Sequence, residues 1–420
     1  MNKVAVTGIG TINAIARRTE EFISALRAMR CGIEKITQFD CSDYPAAMAA
    51  EIKDFSPEQH FELKIANRYD RFLQLGIVAA RNAISDAGLE PSGSWRENAA
   101  VTVSSGIGGF KTLHREYGNL FKRGPKAVRP HLIPMMISDM ASGAIALDLG
   151  CHGPNFGVVS ACASALHAII ITALLIRNGL TEVALTGGTE AVIDPMPVAA
   201  FGSMTALSPE RIDPLKASRP FHSERNGFVM GEGAGVLVLE SEAHASKRGA
   251  RIYGWIEGFG MSEDAYHISQ TDPEGRGAQK SMREALEQAG IGPDQVGLIN
   301  CHATGTPVGD VSEITALKQV FGDALPHIPI QSTKGLVGHT LGAAGAIESI
   351  AAILQAQHGF VHGMPYLDSL DPCCEGLLIH RETTPRSFGV VLKNAFGFGG
   401  HNASLVYRKY TKTNEPPAAL

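Results

Sequence analysis

Two stretches of this chain recur later in it. RNAISDAG, residues 81–88, is matched by REALEQAG, residues 283–290. Segment 161–179 is matched by 341–359: both open on small residues, turn aliphatic and end in Gly. Each of that second pair follows a strand-like run, residues 156–159 and 328–331. Strands alternating with helices specify an α/β architecture, and the repeat predicts a duplicated α/β unit of roughly two hundred residues. The alternative is chance similarity between two Ala-rich helices.

The other patterns are of the same kind. Residues 4–7 read as a short apolar strand ending in Gly8-Ile9-Gly10, and 78–87 as an amphipathic helix stopped by Gly88. Residues 99–104, 182–185 and 296–299 read as further strands. Residues 201–232, rich in Gly, Pro and charge, read as an ordered cap, and the chain from Lys409 onward as a loose tail. With 44% hydrophobic and 19% charged residues the chain is expected to be soluble and globular. A formal net charge of −5 gives no global reason to bind nucleic acid. No apolar run is long enough to span a bilayer, and residues 1–13 lack the pattern of a signal peptide. The seven cysteines have no metal-like or framework spacing, so a reduced, cytoplasmic protein is expected.

Cys162 stands where a buried strand gives way to a helix. Free N–H groups and the helix dipole there stabilise a thiolate and can hold an oxyanion, as in a nucleophile elbow. A buried structural cysteine is the competing explanation. His302 follows the apolar run 296–299, and His339 opens the Gly/Ala-rich helix that follows 328–331. A histidine at a helix N-terminus is expected to be neutral. Lys334 lies in an otherwise uncharged stretch, which predicts a carboxylate partner, with Glu348 on the next helix as the candidate.

Taken together these segments resemble the β-ketoacyl-acyl-carrier-protein synthase II family of the thiolase superfamily, which includes type II polyketide ketosynthases. Five motifs carry the resemblance: SACASA around Cys162, NCHATGTPVGD around His302, STKGLVGHTLGAAGAIES around His339, NAFGFGG at 394–400, and SRPFHSERNGFVMGEGAG at 218–235. It implies an α/β, thiolase-like, five-layered αβαβα fold of two similar halves. These would be residues 1–250, with cap insertions and the nucleophile, and 251–408, with the histidine pair, before a tail at 409–420. It implies Cys162 as nucleophile, His302 and His339 as the decarboxylating pair, Lys334 with Glu348 in support, and Phe398 as gate. The Cys162 and Phe398 amides would form the oxyanion hole. Thr304 and Thr306 would hold a pantetheine arm, Ile107, Phe201 and Phe396 would line the substrate, and Asp310 would support them. The implied partner is an acyl carrier protein docking on Lys64, Arg68 and Lys126, of which the first two would share a helix face. A homodimer, or a heterodimer with a chain-length factor, is implied, with no metal, cofactor, membrane or nucleic acid.

The chain departs from the family pattern at Thr11–Ala14, at Ala127, at Ala165, at residues 197–201 and at Thr205, which touch chain-length preference and docking rather than the reaction. Three other functions compete. A nicotinamide reductase would explain Gly8-Ile9-Gly10, but an acidic residue ending a second strand and a Tyr-x-x-x-Lys pair are missing. An inactive chain-length factor would lack the nucleophile that Cys162 supplies. A cysteine hydrolase would need water at the acyl-enzyme.

Overall fold

The computed structural model describes residues 2–411. Nine strands form one continuous sheet: β1 (Val4–Asn13), β2 (Ala100–Ser104), β3 (Val183–Glu190), β4 (Gly233–Ser241), β5 (Gly254–Glu263), β6 (Leu298–Asn300), β7 (Ile330–Gln331), β8 (Val390–Gly397) and β9 (His401–Lys409). Their spatial order is β7-β6-β8-β9-β5-β1-β4-β3-β2. Six helices matter here: α1 (Arg71–Ala87), α2 (Met140–Leu149), α3 (Ser164–Arg177), α4 (Arg276–Ala289), α5 (Pro307–Phe321) and α6 (Ala344–His358).

The sheet is two copies of one pattern. From the seam outward the first half runs β1-β4-β3-β2 and the second β5-β9-β8-β6. In both, the first two pairings are antiparallel and the third is parallel. Within the sheet the halves are joined by a short antiparallel pairing of Val4–Val6 with Gly254–Ile256. Helices α3 and α6 lie between them: Leu166, Ile169 and Ile170 pack with Ala346, Ile347 and Ile350 in one core shared by both half-sheets. Helices α1 and α2 cover the outer face of the first half, and α4 and α5 that of the second. Three helical and two sheet layers result, the thiolase-like arrangement. Because α3 and α6 are buried nearly all round, their sequences are apolar all round.

The repeat extends to backbone contacts. A Cβ on Gly8 or Gly10 would overlap the carbonyl oxygens of Ala83 and Ala79 on α1, and one on Gly258 or Gly260 would overlap those of Ala285 and Ser281 on α4. The glycines near the N-terminus are thus sites of helix-on-strand contact inside β1, which continues to Asn13 rather than stopping at Thr7. They form no dinucleotide-binding turn.

Other boundaries also shift. Helix α1 starts at Arg71, capped by the Asp70 carboxylate, and stops at Gly88 with φ +63°. Strand β3 runs through Gly187 and Gly188 to Glu190. Residues 156–159 are not a strand. Beyond one bridge between Asn155 and Val101 this stretch pairs with no other strand, and Phe156 and Val159 are exposed. At the other end, Lys409 still pairs with Gly254 and the Tyr410 amide donates to Tyr253, so the tail does not begin at Lys409. Residues 412–420 lie outside the described residues.

Candidate active site

A 3₁₀ turn, Ala161–Ala163, precedes α3, and Ala161 holds φ +50°, a strained value for a residue with a Cβ. The turn is fixed from within: the Ser160 amide donates to Ser164 Oγ (2.9 Å) and Ser164 Oγ to the Ala161 carbonyl (2.6 Å). Ser160 Oγ lies 2.7 Å from Nδ1 of His167. Cys162 thus projects from a tight elbow two residues ahead of the α-helix. The second half repeats the elbow, with Leu341 at φ +46° in the 3₁₀ turn Leu341–Ala343, so Gly342 stands at the place equivalent to Cys162.

The β8–β9 hairpin closes over the elbow. An added Cβ on Gly397 would lie 3.1 Å from the Cys162 nitrogen, and the Phe398 N–H donates to the Cys162 sulfur. Burial pushes the Cys162 thiol up to about 12; the Lys334 ammonium and the Phe398 N–H pull against it, while Glu190 and Glu348 push the same way as burial. The thiolate expected at a helix terminus is therefore not the resting form. The sulfur is enclosed, and the α-helix begins at Ser164 rather than at Cys162.

His302 extends from the end of β6, where its amide and that of Ala303 donate to the two oxygens of Glu313 (2.9 and 2.7 Å). His339 is clamped by the cap: its amide donates to the Val229 carbonyl (2.7 Å), and the Gly231 amide to its own carbonyl (2.8 Å). Helix α6 starts five residues after His339, so the helix terminus expected to neutralise this ring is not beside it. Burial does so instead. Both imidazoles are driven well below the usual histidine range, first by burial and then by the Lys334 and Lys393 ammoniums, and His339 adds to the effect on His302. The rings meet edge to face, centroids 5.3 Å apart, and the Nδ1 atom of each is buried without a hydrogen-bond partner. Lys334 Nζ lies 2.7 Å from Glu348 Oε1, the pairing the lone charge predicts.

Cys162, His302, His339, Thr304, Thr306, Phe201, Phe396 and Phe398 line one cavity of ≈ 380 Å³. The two threonine hydroxyls are 3.1 Å apart. Asp310 holds their loop by accepting from the amides of Gly305 (3.0 Å) and Phe221 (2.9 Å). Burial raises its carboxyl to about 6, against those donors and Arg225. Ile107 does not line this cavity; it packs beneath Cys162 with Phe110, Val192 and Val198, and its amide donates to Glu190. Lys64, Arg68 and Lys126 are all exposed and outside the cavity. The helix expected to align the first two is a single turn, Leu63–Ala66, and Arg68 lies in the turn after it. Three groups went unread in the sequence: Glu313, Phe228 against His339, and Lys393, a lone charge in the apolar run VVLKNAF.

Family models agree with this geometry. The β-ketoacyl synthase N-terminal domain matches residues 1–245 and the C-terminal domain residues 253–367. The chain belongs to the β-ketoacyl synthase family. As such it is a condensing acyltransferase. The 3-oxoacyl-[acyl-carrier-protein] synthase 2 of a Synechocystis species is 41% identical over 408 residues, 97% of this chain and 98% of that protein. Among solved structures, a β-ketoacyl synthase from Burkholderia phymatum superposes with a TM-score of 0.91 at 31% identity, over 98% of this chain and 100% of that one. The ishigamide ketosynthase/chain length factor gives 0.89 at 32% identity, with the same coverage of both chains. Among the described residues, no helix of this β-ketoacyl synthase is long and apolar enough to cross a membrane.

Proposed function

We propose that this protein lengthens carrier-bound acyl chains by decarboxylative Claisen condensation, in fatty-acid or type II polyketide synthesis. One observation carries the reading: a cysteine on a strained elbow and two neutral, unpartnered imidazoles open onto the same cavity. Cys162 Sγ attacks the thioester carbonyl of acyl-pantetheine, and the amides of Cys162 and Phe398 stabilise the oxyanion. The carbon–sulfur bond to pantetheine breaks, and the departing thiol carries off the proton of Cys162. Exchanging one thioester for another keeps this step close to balanced.

Malonyl-pantetheine then enters along Thr304 and Thr306. His302 and His339 donate hydrogen bonds to its thioester oxygen, the bond to the carboxylate breaks, and carbon dioxide leaves. The electron pair remains as an enolate held by the two imidazoles. Its carbon attacks the acyl carbonyl on Cys162, the carbon–sulfur bond breaks, and the departing thiolate takes a proton from solvent. Lys334 and Glu348 set the potential around the pair, Phe398 gates entry, and Phe201 and Phe396 shape the acyl path. The carrier protein docks by charge at Lys64, Arg68 and Lys126. The two functional halves meet near residue 250, in accord with the seam between β1 and β5. The protein acts in the cytoplasm.

A second form of this reading is a ketosynthase subunit that works only beside a chain-length factor. Likeness to the ishigamide ketosynthase/chain length factor and the unpaired apolar stretch around Phe156 and Val159 favour an assembly of two chains. The test is incubation with acyl- and malonyl-carrier protein, alone and with a candidate partner, followed by mass spectrometry of peptides and products. Acyl mass on Cys162 and a β-keto product are expected. Label on Cys301, or on no cysteine, overturns the reading.

A further inference from the structure

Glu348 serves two cations. Lys334 reaches its Oε1 from the turn after β7, and Lys393 reaches its Oε2 (2.5 Å) from the inner face of β8. Both lysine side chains are at most 2% exposed. Lys393 also donates to the Asn394 carbonyl (2.5 Å), so its ammonium is fixed by two acceptors. The Lys334 ammonium has no hydrogen-bond acceptor besides the Glu348 carboxylate among the described residues. A lone Lys334–Glu348 pair would be electrically closed, its two charges cancelling at the nearby imidazoles. With the second ammonium the triad carries one net positive charge in a site where water does not screen it.

Resting on the condensation reading above, we propose that Lys393 is a positioning residue: by occupying the second oxygen of Glu348 it leaves the Lys334 charge uncancelled beside the histidine pair. The charged and titratable groups facing that pair come from every neighbouring element. Lys334 lies before α6, Lys393 is on β8, and each ring faces the other. Glu313 on α5 accepts from the main chain of residues 302 and 303 and from the Asn394 side-chain amide, and its carboxylate acts on Lys393 from the other side. Glu190 and Glu348 act on Cys162, as Lys334 does. The two lysines favour neutral rings, the form that can donate to an enolate and revert. Lys393 is not among the principal groups acting on Cys162, which separates its effect from nucleophile chemistry.

The test uses full-length protein and carrier-bound substrates. Carbon dioxide release from malonyl-carrier protein is followed across pH for wild type and Lys393→Met, with alkylation of Cys162 measured in parallel. Removing a cation raises the imidazole pKa, so protonation sets in at higher pH. The acid limb of the release profile is expected to move toward neutrality by about half a unit or more, about threefold in rate on that limb, while the alkylation profile stays in place. An unmoved limb, or an equal shift in both profiles, overturns the proposal. If Lys393→Met does not fold, wild type labelled with ¹⁵N at lysine Nζ decides by NMR. The Lys393 nitrogen should give an ammonium resonance at the pH of the release assay, and a neutral amine there overturns the proposal. Wild type that releases no carbon dioxide would instead sink the functional reading itself.

Discussion

Glu348→Gln removes the one carboxylate between two buried ammoniums. Glutamine keeps the shape, so no cavity forms and the loss is electrostatic. Lys334 and Lys393 lie 2.7 and 2.5 Å from the two oxygens, with almost no solvent exposure. Stripping one partner from a buried ion pair costs about 3–5 kcal/mol. Proton release sets a ceiling: neutralising a lysine at pH 7 costs about 1.4 kcal/mol for each unit up to its free value near 10.4, or about 4.6 kcal/mol. The variant should therefore lose about 3–5 kcal/mol at pH 7, a large share of a typical domain's stability. A lysine that is neutral when folded and charged when unfolded binds fewer protons in the native state, so stability rises with pH by about 1.4 kcal/mol per unit. The deficit relative to wild type should shrink by about 2–3 kcal/mol between pH 7 and pH 9. Urea unfolding of both proteins at both pH values measures it. A deficit below about 1 kcal/mol, or one of equal size at both, refutes the claim that Glu348 is held there by buried charge.

With its thiol near 12, Cys162 should alkylate slowly and about tenfold faster per pH unit from 7 to 10; a plateau by pH 8 would reveal a preformed thiolate. Burial holds His167 and His362 at about 4, so the unfolded chain takes up protons first as pH falls below about 6.5. Each site should remove up to about 3 kcal/mol of stability between pH 6.5 and 4, and His362→Gln should lose correspondingly less on acidification, which thermal melts across that range would check. Reversing Lys64 and Arg68 to Glu should weaken use of acyl-carrier protein in a salt-dependent way and leave short pantetheine thioesters unaffected; equal loss with both substrates would mean damage to the fold.

Much of the site was legible because its residues stand in uninterrupted motifs at strand ends. The Lys334–Glu348 pair was inferred from a lone charge in an otherwise uncharged stretch, and the same argument applied to Lys393 would have found the third member of the triad. Periodicity failed where burial is complete: α1 is buried without a break from Phe72 to Ala80, so its first turns carry no amphipathic signal, and only its half-exposed end reads as helix. The run 156–159 failed for the opposite reason, since apolar residues mark it as strand although it lies at the surface, unpaired in the single chain. Gly8 and Gly10 resemble a turn in sequence but reflect a helix lying against a strand, a contact that involves residues about seventy positions away. The strain at Ala161 leaves no trace at all, because the residue is not the glycine that a positive φ favours.

The paired elbows explain why the chain has one reaction chamber. Its two similar halves present two equivalent corners, yet only the first bears a reactive side chain. At the second, Gly342 donates its amide to Glu190 (3.0 Å), and any side chain there would collide with the amide of Gly106. The Glu190 carboxylate also binds the 105–107 loop beneath Cys162, so the vacated corner has become part of the footing of the occupied one. A cysteine introduced at 342 would not restore a second chamber; it would push out the floor of the first. The division of labour between the halves, nucleophile from one and histidines from the other, is locked in by sterics and is not open to reversal by a single substitution.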